Sequence, residues 1–272
     1  MYNPKKILEG APNARDLGGI ETTDGRVLKH NRLIRSGGLA RITAADVEYL
    51  KAAGLKTVVD FRTKEEQLKN PDVVIDGVEY ITCPMLERKT DGITRSRPET
   101  EDEEAIRTIK MAHHFMEKHT DGVRQMRSLY PILVTLEHSL QHYKEFFEIL
   151  LNHEDGALLY HCSMGKDRVG TATALILSAL NVPRESIVAD YMITRERCAQ
   201  GTEKLLKNCR KYTDDEATLE FIYRLDTVQE DFIGATFETI EQVHGGMDRF
   251  LLEKMGLDGK AIEKLKKLYL ED

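Results

Sequence analysis

Residues 155–170, DGALLYHCSMGKDRVG, are the part of the sequence that decides the fold. Asp155 and Gly156 form a turn signal, and the apolar run 157–160 is too short for a helix, so it predicts a buried strand. Residues 169–180 are rich in Ala, Leu, Ile and Thr and predict a buried helix. A strand, a short loop and a helix build an anion site, because loop N–H groups converge there and the helix N-terminus is partially positive.

The connecting loop carries a cysteine and an arginine at its two ends. Five residues separate Cys162 from Arg168, and a loop of this length can wrap around a tetrahedral oxyanion. We expect Cys162 to lie beneath the anion while the planar guanidinium of Arg168 contacts two of its oxygens. The positive surroundings favour thiolate over thiol, so the loop would bind phosphate and also supply a nucleophile for it.

The motif formed by His161, Cys162, Gly165 and Arg168 resembles the signature of cysteine-dependent protein tyrosine and dual-specificity phosphatases. The fuller form HCxxGKDR is similar to the bacterial branch that includes tyrosine and phosphoinositide phosphatases. Residues 13–19, NARDLGG, are close to the N-terminal NxRDLGG motif of that branch. Further matches are RSGGL at 35–39, VDFR at 59–62, Asp190 with Tyr191, and Gly256, Leu257, Ile262 and Leu265. The resemblance covers nearly the whole chain apart from about residues 87–130.

The resemblance implies a phosphatase that works in two steps. Cys162 attacks phosphorus to form a phosphocysteine and release an alcohol or phenol, and water then hydrolyses that intermediate. Arg168 and the loop N–H groups hold the equatorial oxygens as charge moves. The remaining loop residues are expected to bind phosphate, namely Ser163, Met164, Gly165 and Lys166. Supporting roles are expected for His161, which would orient the loop, and for Arg15 and Asp60.

Three aspartates are candidates for the general acid that protonates the leaving group. Asp167 ranks first because the resemblance points to it, although two neighbouring cations and a helix N-terminus favour its ionised form. A bound phosphate dianion would act in the opposite direction. Asp60 is predicted at the carboxyl end of a parallel strand, where open α/β sheets place their sites; the alternative is a pair with Arg62 or Arg15. Asp91 lies in the segment 87–130.

Two residues of the loop bear on rate and substrate. Many relatives carry Ser or Thr directly after the arginine, where the hydroxyl helps the sulfur leave, but this chain has Val169. Ser163 or Thr171 could take over that role. Lys166, a second cation, suits a multiply phosphorylated head group, or it is simply solvent-exposed. We expect phosphotyrosine or other phosphoprotein substrates, with phosphoinositides as a further candidate.

Strands and helices alternate along the chain, which predicts an α/β fold with a central, mostly parallel sheet. Strands are predicted at 27–28, 33–34, 56–61 and 78–82, and helices at 43–54, 63–70, 103–118 and 131–152. The C-terminal part is predicted to be helical at 183–197, 202–212, 214–225, 229–243, 247–255 and 260–270. We expect one phosphatase domain over residues 1–272, with 87–130 as a lid insertion or a surface excursion. His138 and His142 are expected on a solvated helix face.

Net charge, apolar runs and cysteine spacing indicate which partners and which compartment to expect. The net charge of −7 argues against general binding of nucleic acid or membrane surfaces. We find no signal-peptide pattern or membrane-length apolar run, and the four cysteines lack a CxxC pair, so we expect a cytoplasmic protein with free thiols. An unusual export route stays open. No metal or cofactor is expected. The rival functions are a pseudophosphatase that binds phospho-ligands and a rhodanese-like sulfurtransferase.

Overall fold

The computed structural model describes residues 4–5, 7–88, 90–94, 100–118 and 120–271. These residues form a five-stranded sheet in the order β1-β2-β5-β3-β4. The strands are β1 (Arg15–Asp16), β2 (Leu33–Ser36), β3 (Leu55–Asp60), β4 (Glu79–Thr82) and β5 (Ala157–His161). The short β1 is antiparallel to β2 and all other neighbours are parallel. The predicted α/β class with a mostly parallel sheet is therefore confirmed.

Eleven helices flank this sheet in the described part of the chain. They are α1 (Ala44–Ala52), α2 (Lys64–Lys69), α3 (Glu101–Glu117), α4 (Gly122–Leu133), α5 (Glu137–Asn152), α6 (Asp167–Ala179), α7 (Arg184–Cys209), α8 (Glu216–Asp226), α9 (Glu230–His244), α10 (Met247–Glu253) and α11 (Gly259–Tyr269). A capping box formed by Thr43 and Asp46 begins α1. No described helix combines the length and the apolar character needed to cross a bilayer.

Three predicted elements differ from the structure. Pro131 does not open a helix but lies near the end of α4, where burial of four large side chains outweighs one lost hydrogen bond: Met126, Leu129, Tyr130 and Leu133. The two helices predicted at 183–197 and 202–212 are one continuous helix, α7, which contains Gly201. Val27 and Leu28 make only isolated bridges, to Glu21 and Leu270 respectively.

Two hydrophobic cores lie on the two faces of the sheet. Alternation along β5 sends Leu158 and Tyr160 into the larger core and Ala157 and Leu159 into the smaller one. The larger core also contains residues of α3 and α4, so these two helices pack against the rest of the fold, and the lid role of 87–130 stays a prediction. The half-buried His138, whose ring nitrogen lies 2.9 Å from a backbone oxygen, does not lie on a fully solvated face.

The register of the sheet brings three strand ends to one place. Ser36 of β2 and Asp60 of β3 both pair with His161, the last residue of β5. The loop that follows His161 therefore emerges at the carboxyl edge of the sheet between two neighbouring strand ends. Open α/β sheets place their ligand sites at this edge.

Candidate active site

The loop between β5 and α6 is shaped by hydrogen bonds that turn its carbonyl groups outward. The Ser163 carbonyl accepts from Gly38 N at 3.1 Å. The Gly165 carbonyl accepts from Asn13 Nδ2 at 2.7 Å and from Arg35 Nη2 at 2.9 Å. With carbonyls facing out, the N–H groups of the loop converge on its inner side.

The N–H groups on the inner side form an anion-binding cup. Among the described residues, no protein acceptor is found for the amides of residues 163–168. α6 begins at Asp167 without a side-chain cap, so its positive N-terminal end also faces the cup. Cys162 lies buried at the base, 3% exposed, and Met164 is partly exposed at the rim. This arrangement is compatible with a phosphate loop, and phosphate binding by residues 163–168 stays a prediction.

Arg168 is held beside the cup by Glu66 of α2. Its two terminal nitrogens donate to the two Glu66 oxygens, at 2.7 and 2.9 Å, and Nη2 also donates to the Ile93 carbonyl at 3.2 Å. Burial opposes the charge of the guanidinium, but Glu66 and Cys162 raise the pKa of Arg168 above its ordinary value. Its Nε is buried and has no partner among the described residues, so one donor remains for a phosphate oxygen. The expected contact of the guanidinium with two oxygens is not available here, because Glu66 engages both terminal nitrogens.

Two carboxylates and an arginine surround His161. His161 Nδ1 lies 3.3 Å from the Cys162 carbonyl, and its Nε2 lies 3.2 Å from Asp72 Oδ2 and 3.8 Å from Asp60 Oδ1. Burial alone would lower the pKa of His161, but Asp60 and Asp72 raise it above its ordinary value. The structure thus supports the expected role of His161 in orienting the loop.

The Asp60, Asp72 and His161 cluster has ligand atoms within 4.8 Å of one another, close enough to hold a metal ion. Arg62, however, donates to Asp60 Oδ2 at 2.8 Å and to Asp72 Oδ2 at 2.7 Å. Its guanidinium supplies the positive charge that a metal would bring, so these residues fit an ion-pair network better than a metal centre. Asp60 lies at the end of β3 as predicted, paired with Arg62 according to the alternative, and this engagement disfavours it as the acid.

Arg15 does not contact the cup directly but supports it through Asn13 and Asp190. It donates to Asp190 Oδ1 at 2.8 Å and to the Asn13 side chain at 2.5 Å. Arg35 donates to Asp190 Oδ2, also at 2.5 Å. Burial favours neutral Asp190, but Arg15 and Arg35 lower its pKa below the ordinary value. Because Asn13 and Arg35 also hold the Gly165 carbonyl, this buried network fixes the loop.

Asp167 is the first residue of α6 and is 3% exposed. Its Oδ1 accepts from the hydroxyl of Tyr130 at 2.6 Å, and Tyr130 is also hydrogen-bonded to Tyr191. Asp91, the third acid candidate, is exposed in the loop before α3 and lines a cavity of about 170 Å³ with Thr94 and Arg107. Of the three aspartates, only Asp167 belongs to the cup itself.

Lys166 is buried, which contradicts the alternative of a solvent-exposed cation. Its side chain is 1% exposed, and Nζ donates at 2.8 Å to the Leu225 carbonyl at the end of α8. Carbonyls at a helix C-terminus attract cations, which explains this position. Lys166 therefore ties α8 to the loop through its side chain and offers the cup its backbone N–H.

The structure describes the surroundings of the two hydroxyls, those of Ser163 and Thr171, that were proposed to replace the one missing at Val169. Val169 is fully buried in the core. The Ser163 hydroxyl donates to Glu66 Oε1 and accepts from Arg168 Nη2 at 3.2 Å, so it is already engaged. Thr171 is fully buried on α6, and its Oγ1, unlike that of Ser163, has no hydrogen-bond partner among the described residues.

Sequence reasoning overlooked several residues that shape the cup. Glu66 and Asp72 had no predicted role. Asp190 and Arg35 lay in recognised motifs without an assigned role. Tyr130 carried no signal, because its helix was not predicted. Spacing along the chain does not show which distant charges will be buried together.

Comparisons with known proteins agree with this geometry. A family model described as "Tyrosine phosphatase family" matches residues 6–271. The chain is similar to a provisionally named tyrosine-protein phosphatase of Cupriavidus necator, 30% identical over 253 residues that cover 90% of this chain and 82% of the relative. It is also 26% identical to the triple specificity protein phosphatase PtpB of Mycobacterium tuberculosis, over 97% of this chain and 98% of that protein.

A tyrosine-protein phosphatase of Nostoc commune is 29% identical over a shorter region, 59% of this chain and 47% of the relative. The family match spans every strand and helix described above, and it includes the loop with Cys162 and Arg168. The chain therefore belongs to the tyrosine phosphatase family.

Proposed function

We propose that this phosphatase hydrolyses phosphate monoesters through a phosphocysteine on Cys162, with Arg168 as the phosphate-binding cation and Asp167 as the general acid. One observation carries the proposal: within the described ranges, the loop amides next to the buried Cys162 thiol have no protein acceptor and Arg168 Nε has no partner. These donors match the equatorial oxygens of a phosphoryl group.

The first chemical step transfers the phosphoryl group to sulfur. The Cys162 thiolate attacks phosphorus as the bond to the leaving oxygen breaks, and Asp167 gives that oxygen its proton. In the second step water attacks phosphorus, Asp167 takes a proton from it, and the phosphorus–sulfur bond breaks to restore the thiolate. Since position 169 is valine and the Ser163 hydroxyl is engaged by Glu66, we expect the second step to be the slower one.

The substrate we favour is phosphotyrosine in proteins. Cys162 is buried, 3% exposed, and a phosphate on tyrosine projects further from the peptide backbone than a phosphate on serine or threonine. The side chain of Lys166 points to the end of α8 and so does not offer a second cation to a head group, which weakens the argument for phosphoinositides. Because the PtpB relative is named a triple specificity phosphatase, we include phosphoserine, phosphothreonine and phosphoinositide substrates in the assay beside phosphotyrosine.

We also propose a reducing compartment, the cytoplasm, as the place of action. None of the cysteines at 83, 162, 198 and 209 takes part in a disulfide bond, as expected where disulfides are not maintained. The acidic net charge of −7 supports a protein partner over nucleic acid.

The test of this proposal is phosphate release from a phosphotyrosine peptide by wild type, Cys162→Ser and Arg168→Lys. Cys162→Ser should abolish turnover and retain phosphate binding, because the amides stay in place. Arg168→Lys should weaken both turnover and phosphate binding, because lysine has no counterpart of the unpartnered Nε donor. Cys198→Ser, which removes a thiol of α7, is the matched control and should keep wild-type rates.

Three outcomes would overturn the proposal. Turnover by Cys162→Ser would exclude the cysteine mechanism. Phosphate binding by wild type without any release would indicate a pseudophosphatase. Transfer of sulfur from thiosulfate to cyanide that survives Arg168→Lys would indicate a sulfurtransferase. A panel with phosphoserine peptides and phosphoinositides then ranks the substrates.

A further inference from the structure

Two buried tyrosines from different helices meet at Asp167. Tyr130 lies on α4 and Tyr191 on α7, and both rings are almost completely inaccessible. The Tyr130 hydroxyl donates to Asp167 Oδ1 at 2.6 Å and is hydrogen-bonded to the Tyr191 hydroxyl. The three side chains thus form a short chain of hydrogen bonds that ends on the carboxyl group at the start of α6.

The number of protons fixes the direction of this chain. Burial, followed by the charge of Asp167, raises the pKa of both hydroxyls well above the ordinary value, so both tyrosines are neutral. Tyr130 has one hydroxyl proton and gives it to Asp167, so its oxygen accepts from Tyr191. Each hydroxyl therefore donates towards the carboxylate.

The two oxygens of Asp167 consequently have different surroundings. Oδ1 accepts a hydrogen bond from the Tyr130 hydroxyl and lies 3.7 Å from Lys166 Nζ. Within the described ranges, no protein group donates to Oδ2. Because a donor already occupies Oδ1, the transferable proton of the acid form resides on Oδ2.

The rings are held firmly enough to fix this orientation. Tyr130 meets Tyr191 edge-on at 6.3 Å and lies 5.8 Å from the ring of Phe232. A methyl group on Gly170 of α6 would lie 2.9 Å from the Tyr191 ring, so the absence of a side chain there lets Tyr191 pack closely on the helix that carries Asp167. Aromatic rings packed in this way leave the hydroxyls little freedom.

We propose that Tyr130 is a positioning residue for the general acid: it holds Asp167 so that Oδ2 faces the leaving oxygen, and Tyr191 orients Tyr130. This inference rests on the proposed function, in which Asp167 is the acid. It also gives the segment 87–130 a role in the chemistry, since the last residue of that segment contacts the acid directly.

Leaving-group dependence tests the proposal. The kcat/KM values for phenyl phosphate and para-nitrophenyl phosphate report the first step, and only the phenyl ester strongly needs a proton at its leaving oxygen. Tyr130→Phe should lose about 10-fold on phenyl phosphate, a part of the effect of an acid, and much less on the nitrophenyl ester. Tyr191→Phe should show a smaller loss with the same selectivity. Tyr269→Phe, which removes a buried hydrogen bond to Leu150, is the control and should affect the two esters equally.

Asp167→Asn separates failure of this inference from failure of the proposed function. If Asp167→Asn lowers both esters equally, the acid assignment itself is wrong. If Asp167→Asn is selective for the phenyl ester while Tyr130→Phe lowers both equally or neither, the tyrosine merely packs and the inference is wrong. The melting temperature of every variant is measured to check that it folds. If Tyr130→Phe does not fold, the ratio of the losses of Tyr191→Phe on the two esters tests the inference instead.

Discussion

Buried charges around the phosphate loop are paired almost completely. Arg168 contacts Glu66, and two further arginines share Asp190. Removing one partner of a buried pair typically costs about 3–5 kcal/mol, because the other charge is left without compensation. The protein therefore keeps its cations in place before substrate arrives, and the loop amides and one guanidinium nitrogen remain as phosphate donors.

The charge of His161 makes stability depend on pH. Asp60 and Asp72 raise the pKa of this histidine against the effect of burial, so folding favours the imidazolium. This stabilisation is fully present below the unfolded pKa of about 6.5 and is lost as pH rises through the higher folded pKa. The free energy of unfolding of wild type, relative to Asp72→Asn, should therefore be greatest near pH 6 and shrink towards pH 9, roughly spanning the His range.

Urea unfolding at a series of pH values checks this prediction. The Arg62–Asp72 pair is also lost in Asp72→Asn, but its contribution is constant over this range. A difference between wild type and Asp72→Asn that does not vary with pH would refute the assignment.

The positions of the motif residues were predictable, and their partners outside the motif were not. Cys162, Gly165 and Arg168 lie where their spacing placed them, because a loop of fixed length has few ways to join a strand to a helix. The ion pair of Asp60 was one of two predicted alternatives. Glu66 contacts Arg168 across 102 positions of the chain, and such a contact is set by the packing of α2, which sequence spacing does not reveal.

At the scale of secondary-structure elements, the junction of β5 and α6 carries the site. Gly165 has a φ of +65°, and a Cβ there would lie 2.6 Å from the carbonyl of Ser36 in β2. Only glycine combines a left-handed backbone with this close approach. The cup therefore depends on how tightly the loop packs against the neighbouring strand.

Gly165→Ala should lower kcat/KM by about 100-fold, because displacement of the loop by an ångström misaligns its amides. Gly201→Ala is the matched control, since Gly201 lies inside α7 and a Cβ there meets nothing within 4 Å. It should raise the free energy of unfolding by about 0.5–1 kcal/mol and leave activity unchanged. Steady-state kinetics and urea unfolding of both variants measure this; full activity in Gly165→Ala would contradict the account.

Most elements followed from local patterns, and the exceptions have physical causes. Short apolar runs and turn signals placed β2, β3, β4 and β5. α4 was missed because Pro131 suggested a helix start, although Asp121 caps the helix and buried side chains recur at helical spacing. Burial of these side chains in the folded protein stabilises α4 despite Pro131, and local helix propensity does not include this contribution.

At the scale of the whole molecule, the insertion and the C-terminal helices share one core with the sheet. The larger core joins Val59 of β3, Ile109 of α3, Met126 of α4 and Tyr269 of α11. We propose that the chain is a single domain, as its sequence suggested. The α/β class was predictable from the order of elements, whereas the integration of 87–130 required the three-dimensional packing.

Calorimetry tests the one-domain proposal. A shared core should unfold in one transition, with calorimetric and van't Hoff enthalpies that agree. The same scan on Ile109→Ala, which shortens a core side chain of α3, should move that single transition to lower temperature. Two resolved transitions, with only the first shifted by Ile109→Ala, would show that the insertion is a separate unit.

The most direct test of the central claim is to trap the covalent intermediate. Wild type is mixed with an aryl phosphate and quenched in acid within milliseconds, and the modified peptide is mapped by mass spectrometry. We predict a burst of phenol and a phosphoryl group on Cys162, because the second step is the slower one. A phosphoryl group on another residue, or release of phenol without any phosphoryl-enzyme, would contradict the account.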